Sequence, residues 1–131
     1  MNPVRKALYN YLKNDTALVA AATGGIHHKV APRGTKAPYL IYGRMSEVPM
    51  RTFDGPSLDK DVWMVKAVGE AEQAEDLDRI VQQLLDRATL FIPGKVSLDV
   101  YRLQVIDFSE LVEGELIHHV GHEYKVDSEE G

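Results

Sequence analysis

The chain is predicted to be α+β: a single domain holding a mostly antiparallel sheet, with one long helix and an N-terminal helix packed on it. Two segments, near the N-terminus and over residues 71–88, space their apolar residues at three and four. The segments between and after them alternate apolar and polar residues with a period of two. Proline and glycine punctuate the boundaries, as where Pro32-Arg33-Gly34 and Pro38 precede Tyr39-Leu40-Ile41-Tyr42. Mixed periodicities in one short chain, with helices grouped against a meandering sheet, define this class.

The first helix covers residues 3–13, where Val4, Leu8, Tyr11 and Leu12 form a stripe. Pro3 suits a first turn, and Lys13 complements the negative end of the dipole. Asp15 or Thr16 caps a second short helical turn through Leu18 and Val19, which Gly24-Gly25 ends. Ile26 to Val30 is a short strand. Pro38 biases Ala37 away from helix, so Tyr39 to Val48 enters as a strand that stops before Pro49. Met50-Arg51-Thr52-Phe53-Asp54-Gly55 then reads as a long exposed hairpin loop.

Residues 58–69 alternate Val62, Met64 and Lys66 against Trp63, Val65 and Ala67, the pattern of a central strand partly covered on both faces. Ala71 to Arg87 is the long helix. Its stripe is Ala74, Leu77, Ile80, Val81, Leu84, Leu85 and Ala88, with Glu72, Glu75 and Asp76 in the first turns and Arg87 in the last. Pro93-Gly94 turns the chain into a strand through Val96, Leu98, Val100, Leu103 and Val105. Glu113-Gly114-Glu115 then makes a hairpin turn to a last strand from Leu116 to Val126. The expected organisation of residues 1–131 is a helical segment over 1–25, the sheet and long helix over 26–126, and a polar tail over 127–131.

Composition excludes several functions. The 131 residues include no cysteine, which removes disulfides and thiolate chemistry. A net charge of −5 argues against a general nucleic-acid binder, whose affinity rests on clustered Lys and Arg. The start, Met1 to Lys6, has no long apolar stretch, and no run approaches the roughly 20 residues of a membrane span. The expectation is a soluble, unexported chain.

Candidate chemistry is sparse. His118, His119 and His122 resemble a metal cluster, but the surrounding residues favour a strand, where positions four apart lie about 13 Å from one another. His118 and His122 are therefore expected to share a strand face without sharing a metal, as a polar face or a contact between subunits. His27-His28 has no nucleophile or orienting acid placed by spacing. Thr23-Gly24-Gly25 and Arg33-Gly34-Thr35-Lys36 match no phosphate-binding fingerprint and read as turns. Glu70, Glu72, Glu75 and Asp76 read as a solvated helix start. Met50 and Phe53 either fold back over the sheet or serve as contacts, with Arg51 and Asp54 exposed beside them.

Pro32-x-Gly34 followed by Pro38-Tyr39, the alternating strand from Leu58 to Gly69, the helix from Ala71 to Ala88 and the closing strands from Val96 to Val126 together resemble the phage tail completion or tail terminator family. The resemblance spans nearly the whole chain and includes His119-x-Gly121, similar to that family's His-Gly with one residue inserted. It implies a structural, non-enzymatic virion subunit, of phage or prophage, with no cofactor. Such a subunit forms a homo-oligomeric ring, often hexameric, at the head-proximal end of the tail. It ends tail-tube polymerisation and joins the tail to the head connector or stopper protein. The implied partners are a second copy, the tube protein and the connector, with no membrane and no sequence-specific nucleic acid, and the ring leaves room for DNA to pass. The implied location is the virion tail, and the host cytoplasm during assembly. Met50, Arg51, Phe53 and Asp54 are the candidate subunit or tube contacts. Two competing readings are a small metal-dependent hydrolase using the three histidines and an acidic protein-binding module.

Overall fold

The computed structural model describes residues 3–50 and 58–130. Helices α1 (Pro3–Lys13), α2 (Thr16–Ala21) and α3 (Ala71–Leu85) accompany five strands: β1 (Ile26–His28), β2 (Tyr39–Met50), β3 (Leu58–Gly69), β4 (Lys95–Val112) and β5 (Glu115–Glu130). The sheet order is β1-β2-β3-β5-β4. All neighbouring pairs are antiparallel except β1 with β2, which is parallel. The fold is the expected α+β domain with a mostly antiparallel sheet, and β3 lies at its centre.

The helices cover one face of the sheet. Alternation along β3 sends Asp61, Trp63, Val65 and Ala67 beneath them, where they are buried. Leu40 and Tyr42 from β2, Tyr124 and Val126 from β5, Leu8 and Leu12 from α1, and Leu77, Val81 and Leu85 from α3 join the same apolar cluster. Tyr9 stacks on Tyr42 at 5.9 Å, and Tyr42 on Trp63 at 6.4 Å, which ties α1 to the sheet. Trp63 Nε1 donates to Asp61 Oδ2 at 3.3 Å, so the buried indole keeps its hydrogen bond. Asp15 caps α2 by accepting from the Leu18 backbone N–H at 2.8 Å.

Several boundaries differ from the sequence reading. Strand β1 ends at His28 and not at Val30. Strand β2 passes through Pro49 to Met50, which pairs with Leu58. Because β1 reaches only Tyr42, one side of β2 is an edge at Pro49, where a missing N–H costs no ladder bond. Helix α3 stops at Leu85, and Arg87 sits outside it at φ +62. The backbone there is captured by β4: Arg87 N donates to Val100 O, and Val100 N to Ala88 O, each at 2.8 Å. Arg87 therefore does not complement the helix dipole.

The expected polar tail is strand as far as Glu130. Asp127 and Ser128 are buried in β5, because Lys60 and Asp59 of β3 pair with them. Lys125 Nζ lies 3.2 Å from Asp127 Oδ2. Between Val112 and Glu115, which pair directly, Glu113 and Gly114 both take positive φ (51 and 83), as a two-residue type I′ hairpin turn requires.

Candidate assembly surface

The three histidines of β5 are dispersed by the pleat. His118 and His122 share one face of β5, as expected, and that face is the helix side, while His119 points to the opposite side. His122 Nδ1 lies 3.3 Å from Asp78 Oδ1 on α3, while Gln82 Nε2 donates to Asp78 Oδ2 at 2.7 Å. His118 Nδ1 lies 3.2 Å from Ser109 Oγ. Among the described residues no group of three His, Asp or Glu side chains is placed to hold a metal ion. His27 Nε2 donates to the Gly24 carbonyl at 2.8 Å, and His28 Nδ1 lies 3.5 Å from Arg5 Nη1. Burial, with Arg5 and Lys29 nearby, lowers the His28 pKa. At the start of α3, Asp76 pairs with Arg79 at 3.1 Å on the surface. Pro32 to Thr35 is a turn closed by the Thr35 N–H on Pro32 O at 3.1 Å. Of the predicted contact residues, Met50 closes β2, and Arg51, Phe53 and Asp54 lie outside the described residues.

The helix-free face carries a bowl of about 370 Å³ at the end of the sheet where β2 begins. Its floor comes from Tyr39, Ile41, Lys66 and His119, and the loop following β1 forms a wall with Lys29, Val30 and Arg33. His119 Nε2 donates to Glu110 Oε1 at 2.7 Å, and its ring stacks on Phe108 at 4.4 Å and 9°. That tautomer leaves Nδ1 as a buried acceptor with no hydrogen-bond partner among the described residues. Lys66 Nζ stands 5.2 Å from the centre of the Phe108 ring. Burial lowers the pKa of Lys66, opposed by Glu110, and lowers that of His119.

Strand β4 is the outer edge, and it carries exposed apolar side chains among polar ones. Tyr101, Leu103, Val105 and Phe108 stand open along it. Because β3 ends at the Gly69–His118 pair, the last turns of the β4–β5 ladder project beyond the sheet. On that overhang Leu111 is 72% and Leu116 54% exposed, beside exposed Glu113 and Glu115. Long exposed edge strands template pairing with another chain unless they are blunted or covered, and exposed apolar patches of this kind mark interaction surfaces. Sequence reasoning placed the strand and its turn but not the bowl, whose members come from five separate segments.

The described residues form a two-layer α+β domain whose outer edge carries exposed apolar side chains, the features of a subunit suited to contact with other chains. The family model described as "Tail completion protein gp17" matches residues 6–124, and the chain belongs to that family of phage tail structural proteins. A solved chain in the virion of a native gene transfer agent (GTA) particle shares the fold at TM-score 0.75 and 17% identity, covering 95% of this chain and 92% of that one. A second solved chain matches at TM-score 0.55 and 16% identity, covering 98% and 94%. No curated protein gives a significant match. Among the described residues no helix is long and apolar enough to cross a membrane.

Proposed function

We propose that this chain closes into a ring, about six copies round, at the head-proximal end of a phage tail. There it ends tube polymerisation and joins the tail to the head connector. The observation carrying this reading is the exposed apolar β4 edge opposite the short β1 edge of the same sheet. Two unlike edges support a heterologous contact, which closes into a ring when repeated by rotation. The work is geometric and uses no catalytic group or cofactor.

Met50, Arg51, Phe53 and Asp54 are proposed as contacts to the tube or to a neighbouring ring. The ladder supports this division of labour: the Met50–Leu58 pair and the Val112–Glu115 pair stand at opposite ends of the sheet. One end is then free for axial contact while the other makes lateral contact. Phe53→Ser should leave the solution fold intact and weaken joining to tubes. Unchanged joining would remove the loop from the account.

Light scattering at several concentrations, with negative-stain imaging, tests the ring itself. A mass near six subunits supports the reading. A chain that stays monomeric both alone and with purified tail tubes contradicts it.

A further inference from the structure

The two lateral sides of the bowl end of the sheet carry opposite charge. On the β1 side, the loop wall presents exposed Lys29 and Arg33, and Lys66 stands on the floor behind them. On the β4 side, the overhanging hairpin presents Glu113 and Glu115 between Leu111 and Leu116. In a chain of net charge −5 this basic cluster is a local reversal of sign. Within the bowl the opposing carboxylate is Glu110, already bound to His119.

We infer that the β4–β5 hairpin tip of one copy seats in the bowl of the next, with Glu113 and Glu115 facing Lys29, Arg33 and Lys66, and Leu111 and Leu116 covering Val30. This rests on the ring reading and assigns its lateral interface. Three features argue for a second copy as occupant. The tip is a narrow knob, since a two-residue turn joins directly paired strands. Its charge is complementary to the bowl, which steers docking and fixes register. Knob and bowl lie at one end of the sheet, the knob projecting at the β4 side and the bowl reaching from Glu110 at the base of that hairpin to the basic loop wall on the β1 side, so a single rotation brings the knob of one copy against the basic wall of the next and leaves both used in every copy of a closed ring. Val30 is 76% exposed and becomes covered in this arrangement.

Charge exchange tests the assignment. E113K/E115K and K29E/R33E, each made separately, should raise the concentration at which rings dissociate by about tenfold or more, as expected for like charges brought together at an interface. The fourfold variant carrying both sets restores opposite charges between residues 113 and 115 and residues 29 and 33, leaving Lys66 unchanged, and should recover much of the lost assembly. A second test uses the absence of native cysteine: V30C/L116C should give a ladder of disulfide-linked species under oxidation, and each single variant at most a dimer. Reversal variants that assemble like wild type, a fourfold variant that stays dissociated, or a double-cysteine variant without a ladder would overturn the interface while the ring reading stands. Wild type that forms no ring, alone or on tubes, overturns both.

Discussion

His119 and Glu110 face one another across the outer face of the β4–β5 ladder, Nε2 to Oε1 at 2.7 Å, with the imidazole about nine-tenths buried under Phe108. Burial outweighs the carboxylate and holds the His119 pKa below its ordinary 6.5, and His28 is shifted the same way. Both groups take up a proton more readily in the unfolded chain, so their contribution to stability is complete above about pH 6.5 and is lost as pH falls through the window beneath it. Urea midpoints measured from pH 8 to pH 5 should fall, and H119Q should flatten part of that slope. A slope unchanged by H119Q would place the pH sensitivity elsewhere.

Gly121 is set by its neighbours. A Cβ there would collide with the Val65 carbonyl and with the Cα of Lys66 on β3, which are backbone atoms with little room to yield. G121A should cost about 2 kcal/mol or more, in the range of overpacking. Denaturant midpoints compared with wild type measure it, and an unshifted midpoint would show that β3 and β5 separate freely.

Asp61 and Trp63 are both buried on the helix side of β3. D61A removes the acceptor of the indole N–H and should destabilise by about 1–3 kcal/mol, the cost of a buried donor left unpaired. Tryptophan emission followed through urea unfolding reports both the midpoint and the environment of the ring. A midpoint equal to wild type would mean the indole finds another acceptor.

The hydroxyl of Tyr124 is buried without a hydrogen-bond partner among the described residues. Its burial, with Asp78 nearby, raises its pKa, so the group stays neutral. Y124F should hold or raise stability, by up to about 1 kcal/mol. A clear loss would reveal a bridging partner for the oxygen.

The elements legible in the sequence are those governed by neighbours in the chain. The stripe of α3, the cap at Asp15, one of the two residues the sequence offered, and the turn at Glu113–Gly114, one residue shorter than expected, depend on spacing and local conformation. Boundaries set by distant partners were not legible. The stripe running on to Ala88 suggests two more helical residues, but the Val100 backbone takes Arg87 and Ala88 into the sheet. Asp127 and Ser128 look like a solvated tail until β3 pairs with them. The parallel pairing of β1 and the union of Lys29, Lys66, Glu110 and His119 in one bowl follow from topology, which composition and period do not encode.

The central claim is best tested on growing tail tubes, by adding the purified chain during polymerisation and measuring tube length and end structure by electron microscopy. The account predicts short tubes, each closed at one end by a single ring of about six subunits. Tubes of undiminished length with bare ends, and the chain left monomeric in the supernatant, would contradict it.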